Sequence, residues 1–273
     1  MKNLFLSFLF LLPLIGFSQT IIFSEDFANG IPNSWTNSSV PWAYRGPLTI
    51  PNQSVGSQGA YAALQTPIMS SSAANGFVIF DSDYYDNGGV LGAFGTGLFP
   101  APHTGELMTN MIDMSFYSDL SLGFNSYFRT YFGQAFVDFY VNGVFMERVQ
   151  VHENLAINDP SANAEDVIIR VPFNVVGNSN VQISFVFDGA NNGDGYYFWM
   201  IDDIELYETP LNSIAIESIV GGGFWIDYAN YSGSGFNDIY GLNYSVTPVS
   251  QLFNHPYAIE GVIRNLGINN QNS

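Results

Sequence analysis

Cysteine is missing from all 273 residues, which excludes a disulfide framework, thiol chemistry and a lipid-anchored lipoprotein. Cations are nearly missing too: six Lys and Arg stand against 24 Asp and Glu, a net charge of -18. The lone lysine, Lys2, lies in the N-terminal leader, so the mature chain keeps only Arg45, Arg129, Arg148, Arg170 and Arg264. Schiff-base chemistry thereby loses its residue. A field this acidic repels phosphate backbones and anionic lipid heads, which disfavours nucleic-acid and membrane-surface binding, and it attracts divalent cations. His103, His152 and His255 are scattered, with no His-Glu-x-x-His and no pair at ligand spacing, so zinc hydrolysis has no basis. No Gly-x-Ser-x-Gly elbow occurs. No long stretch repeats with a 3.6-residue period.

One apolar run is present, Leu4 to Phe17. With Lys2 before it and small Ser18 after it, residues 1–18 read as a signal peptide, too short and wrongly flanked for a membrane span. The expected product is exported, secreted or at the bacterial cell surface, with no membrane insertion after cleavage.

The rest is rich in aromatics (16%) and glycine, with short runs of alternating apolar and polar residues. The alternation predicts strands at Ile21–Phe27, Gly76–Asp81, Glu106–Met111, Leu120–Tyr131, Ala135–Val141, Val144–Val151, Asp166–Phe173, Val181–Asp188 and Gly195–Leu206. Asn142-Gly143 supplies the two positive-φ residues of a type I′ hairpin. Gly46–Gly59 and Asp83–Thr104 read as long ordered loops. Short strands without intervening helices predict an antiparallel jelly-roll β-sandwich over residues 19–209. A boundary falls near Glu208–Asn212. Residues 213–273 restart strand patterning at Ile214–Ile219, Tyr244–Pro248 and Tyr257–Gly267. About three strands leave an apolar face uncovered, so this second part reads as a partial, truncated immunoglobulin-like β domain.

Two acidic segments stand out in this pattern. By the period-2 rule Glu25 shares a face with Ile21, Phe23 and Phe27, and Asp202 shares one with Phe198, Met200, Ile204 and Leu206. A carboxylate among apolar residues is costly unless protonated, paired or metal-bound, and five arginines cannot pair so many acids. Structural calcium is the expected partner, with Glu25 and Asp202 converging and Asp26, Asp203 or backbone carbonyls completing the oxygens. The alternative is a strand-end carboxylate satisfied by backbone N–H groups and water. Asp203 and Glu205 share the other face and read as solvent-facing by alternation.

At these residues the chain resembles a known group. Phe23-Ser24-Glu25-Asp26-Phe27, followed by Gly30-Ile31-Pro32-Asn33-Ser34-Trp35, looks like the opening of choice-of-anchor J domains, which are similar to the MAM and cleaved-adhesin jelly rolls of secreted bacterial proteins. Phe80-Asp81-Ser82-Asp83, Met111–Ser115 and Leu120–Phe124 fit the interior of that pattern, and Gly193–Ile204 fits its closing strand. The resemblance covers roughly residues 20–208. It implies neighbouring first and last strands, often with calcium at their ends, and adhesion or binding at the bacterial surface.

Asp81, Asp83 and Asp86 form a second cluster, read either as a weaker calcium site or as a turn that bonds its own backbone. Tyr84, Tyr85 and Trp42 are candidate ligand-stacking aromatics, set against burial in the core. Asp188–Gly195 superficially resembles an EF-hand loop, but Ala190 and Trp199 occupy positions that need oxygen ligands. The expectation is a non-catalytic, calcium-stabilised module binding an extracellular glycan or protein. Its rival is an accessory domain of a larger extracellular hydrolase.

Overall fold

The computed structural model describes residues 20–47, 55–62, 66–190, 195–224 and 257–270. The expected leader, the expected Tyr244–Pro248 strand and the tip of the Asp188–Gly195 turn lie outside the described residues. The chain divides into two units, residues 1–208 and 209–273.

The first unit is an antiparallel sandwich of two sheets, the jelly-roll β-sandwich class. One sheet runs β3 (Ala43–Arg45), β4 (Phe77–Phe80), β11 (Tyr196–Glu208), β6 (Leu120–Tyr131), β9 (Glu165–Arg170), with β1 (Ile21–Glu25) also paired to β11. The other runs β2 (Thr36–Asn37), β5 (Thr104–Met108), β10 (Val181–Asp188), β7 (Gln134–Val141), β8 (Val144–Val151). Alternation explains the central strands: Val137, Phe139 and Val141 of β7 and Val181, Ile183, Phe185 and Phe187 of β10 all enter one core between the sheets. The β7–β8 turn holds Asn142 at φ 52 and Gly143 at φ 75, as the type I′ reading requires. The strand expected over Asp166–Phe173 ends at Arg170, ahead of Pro172, which has no N–H for a ladder. The segment read as a loop from Asp83 begins inside a short helix, α1 (Ser82–Asn87), closed by Gly88 at φ 61.

Trp199 of β11 centres the aromatic core, 5.3 Å from Trp42 and 6.2 Å from Phe128 and Phe185 by ring centroid. Its Nε1–H donates to Ser126 Oγ at 2.9 Å, and Ser126 Oγ meets His152 Nε2 at 2.7 Å. Trp199→Ala removes this hub and is expected to cost about 3–5 kcal/mol in urea unfolding. Trp199→Phe should cost distinctly less.

A smaller core covers the outer face of the β1-containing sheet. Ile68 and Ala73 pack there against Phe77, Ile79, Tyr127, Phe198 and Met200. In the second unit, β12 (Ile214–Phe224) pairs antiparallel with β13 (Tyr257–Asn265).

Candidate functional site: the acidic junction and the aromatic loop end

β11 changes partner along one edge. Its Trp199–Ile201 stretch pairs with β4 and its Ile204–Tyr207 stretch with β1, and a bulge falls between them, with Asp203 at φ 48. A bulge resets the side-chain alternation. Phe198 and Met200 therefore face the outer core, whereas Ile204 and Leu206 face the main core. This corrects the single-face reading of β11. Asp202 is fully buried, and both acids turn to the Ser70–Ser72 loop rather than one to the core and one to solvent.

Asp203 Oδ2 accepts from Ser71 N–H at 3.1 Å and Ser71 Oγ at 2.6 Å, and its Oδ1 accepts from Ser72 Oγ at 2.5 Å. Asp202 Oδ2 accepts from Ser70 Oγ and lies 3.0 Å from Ser72 Oγ. Glu25 Oε1 accepts from Phe27 N–H at 2.7 Å; Asp26 accepts from Ala28 N–H at 3.1 Å and Asn75 Nδ2 at 3.0 Å. Among the described residues no three acidic or histidine side chains gather as a metal site. The four-carboxylate set Glu25, Asp26, Asp202, Asp203 is thus not assembled as the sequence suggested, because serine and backbone donors engage it. Among the described residues two buried acceptors keep no donor, Asp202 Oδ1 and Asn75 Oδ1. Burial, with the charge of Asp203 adding to it, pushes the Asp202 carboxyl up to about 6. Burial also raises Glu25.

The second acidic cluster is buried and faces N–H groups. Asp81 accepts from Ser57 Oγ at 2.5 Å and Gln58 N–H at 2.8 Å, with Arg45 at 3.5 Å; burial pushes it up to about 6. Asp83 Oδ2 accepts from Tyr61 N–H at 2.6 Å and Ala62 N–H at 2.9 Å, and its Oδ1 from Asn87 Nδ2 at 2.6 Å. Asp86 Oδ1 accepts from Gly95 N–H at 3.1 Å and Ala101 N–H at 2.8 Å. Donor hydrogens pointing at a carboxylate are the wrong surroundings for a cation, so the calcium alternative for Asp81 and Asp83 gives way to backbone anchoring. These acids pin the loops around α1.

The predicted stacking aromatics are mostly interior. Trp42 is 2% exposed against Phe80 and Trp199; Tyr85 is buried and donates to Pro41 O; Tyr84 is partly buried against the core. Each was placed by local polar context, whereas tertiary packing decided its exposure. The surface rings are others. Tyr61 stacks on Phe94 at 4.8 Å and 12°, Phe94 lies 5.9 Å from Tyr196, Tyr196 6.4 Å from Tyr131, and Tyr131 4.7 Å from Phe132. Phe94 is 52% and Phe132 41% exposed. Arg129 lies over Tyr197 at 4.4 Å, donating from Nε to Asn158 O and from Nη1 to Ala62 O at 2.5 Å. On the five-stranded sheet, Arg148 forks onto buried Asp138 at 2.7 and 2.6 Å and lies 4.5 Å over Phe136.

The strand pairing and surface chemistry define an all-β jelly-roll sandwich with an aromatic loop end. No protein-family model matches the chain, and no curated protein matches it. Among solved structures it is similar to the K1 cleaved adhesin domain of Lys-gingipain from Porphyromonas gingivalis W83, at 16% identity and TM-score 0.37, covering 67% of this chain and 96% of that one. The K3 domain of the same protein gives 14% identity and TM-score 0.38, covering 69% and 100%. TmCBM61, solved with β-1,4-galactotriose, gives 12% and 0.36, covering 67% and 94%.

Proposed function

We propose that the chain is an exported, non-catalytic binding module of the choice-of-anchor J kind that engages an extracellular glycan or protein. The observation that carries this reading is the row of rings Phe94, Tyr196, Tyr131 and Phe132, of which Phe94, Tyr131 and Phe132 are exposed, with the Phe94 loop fixed by buried Asp86. Exposed aromatics are costly in water and mark contact surfaces. Fixed loops lower the ordering cost of binding.

The test is capture of the purified mature chain on insoluble polysaccharides and on immobilised matrix proteins such as fibrinogen and collagen. A Phe94→Ser/Phe132→Ser double variant, folded by circular dichroism, should lose capture. Failure of every support to capture the wild type, or capture equal in the double variant, rejects the reading.

Calcium belongs to the same proposal, at the junction of β1, β4 and β11. Asp202 Oδ1 and Asn75 Oδ1 are hard-oxygen acceptors without donors among the described residues, unlike the donor-satisfied carboxylates around them. These residues would hold the ion, which would neutralise a buried carboxylate and tie the strands together. In thermal melts at pH 7.5, saturating calcium at about 100 times Kd adds about 2.7 kcal/mol over chelator. Asp202→Asn should not respond. An identical wild-type melt in calcium and in chelator removes the metal from the account.

A further inference from the structure

We infer that the aromatic loop end is a platform for an uncharged oligosaccharide, bound by stacking of its sugar rings on Phe94, Tyr196, Tyr131 and Phe132. This rests on the binding-module reading and narrows its ligand to one class. Four observations carry it.

The rings come from three segments, the Phe94 loop, the start of β11 and the Tyr131-Phe132 end of β6, and touch in sequence, in centroid steps of 4.7 to 6.4 Å. That is the scale of successive sugar units.

Phe94 is clamped on both sides. Gly92 N–H donates to Tyr61 Oη at 2.8 Å, and Gly95 N–H donates to Asp86 at 3.1 Å. A half-exposed ring held this way presents a fixed face, and a rigid aromatic costs little entropy on binding.

Phe132 sits at φ 76 and Tyr197 at φ 78. An aromatic in the left-handed region costs about 1 kcal/mol or more, and such positions gather at ligand contacts. Glycine would fit Phe132's backbone better, yet the tip of the β6–β7 turn keeps a 41% exposed phenyl ring.

Charge then selects the ligand. The chain carries -18 overall, and Arg129 beside the platform has its face on Tyr197 and two nitrogens on carbonyl oxygens. A uronate or sulfated chain would meet repulsion and no ready cation; neutral sugar faces bury against the rings without that cost.

The alternative occupant is a protein, favoured by the exposed aliphatic side chains of Val90, Leu91 and Leu98 in the same loop. A protein partner would cover rings and aliphatics alike, whereas sugar stacking needs the rings.

Native affinity electrophoresis of the mature chain tests this, in gels containing β-glucan, xylan, mannan or galactan, with polygalacturonate as the anionic arm. At least one neutral polysaccharide should retard the wild type. Phe94→Ala and Phe132→Gly should each weaken that retardation about tenfold. Phe132→Gly should melt no lower than wild type, because it relieves the backbone, so its loss of binding is not unfolding. Leu91→Ser and Leu98→Ser should bind as wild type. No retardation by any neutral polysaccharide, stronger retardation by polygalacturonate, or equal loss in the leucine variants overturns the inference. If aromatic-dependent capture on a matrix protein persists after such a result, the binding-module reading survives and only the ligand class falls.

Discussion

Arg148→Ala lowers the unfolding free energy by about 3 kcal/mol, one of the larger losses a single change outside the main core can cause. Asp138 is 1% exposed, and both of its oxygens accept from the Arg148 fork. Removing the guanidinium strands a buried negative charge and uncovers Phe136, over which it lies. Arg148→Lys should recover only part of the loss, since an ammonium cannot make two parallel bonds. The double change Asp138→Val/Arg148→Met removes the stranded charge and should restore most of it. Urea midpoints of the four proteins check the ordering. A double variant less stable than Arg148→Ala would show that the pair contributes more than it costs.

His152→Gln uncovers a pH dependence that the wild type conceals. Asp81 and Asp202 titrate at about 6 in the fold against 3.8 when free. Between those values the folded state binds more protons, so stability rises as pH falls through 6 towards 4. Each carboxylate contributes up to about 3 kcal/mol when the change is complete. Glu25 and Asp83, raised by burial, act in the same direction. Burial holds His152 down at about 4 against 6.5. There the unfolded state takes the proton first, so stability falls as pH drops from 6.5 towards 4, again by up to about 3 kcal/mol. His103, also lowered by burial, adds to that loss. Between pH 7.5 and 5 the opposing terms leave the wild-type profile shallow in chelator. With His152→Gln, stability should climb by about 2–3 kcal/mol over the same interval. Asp202→Asn should tilt the profile the other way. A His152→Gln profile parallel to wild type would refute this assignment.

Alternation made most of the sandwich legible. β6, β8 and β10 have the bounds their sequences indicate, even though β8 carries a register shift against β7 at Phe145–Glu147. β2 and β3 are two and three residues long, too short to show any period. The acidic junction was half legible. Its residues could be named, but the bulge at Asp203 reset the faces, and the Ser70–Ser72 donors lie about 130 positions away in the chain. The ring platform left no local mark. Tyr61, Phe94, Phe132 and Tyr196 are brought together only by the folded loops, while Trp42, next to polar turns, went inside.

The three aspartates of the helix-bearing segment grip main-chain hydrogens, at Gln58, Tyr61, Ala62, Gly95 and Ala101. Every amino acid except proline offers that hydrogen, and only Gly95 among these positions carries a positive φ. The framework is therefore indifferent to most side chains it displays. Lineages could exchange exposed side chains such as those at positions 91, 94 and 98 and retune what the surface recognises while the main-chain bonds beneath stay unaltered.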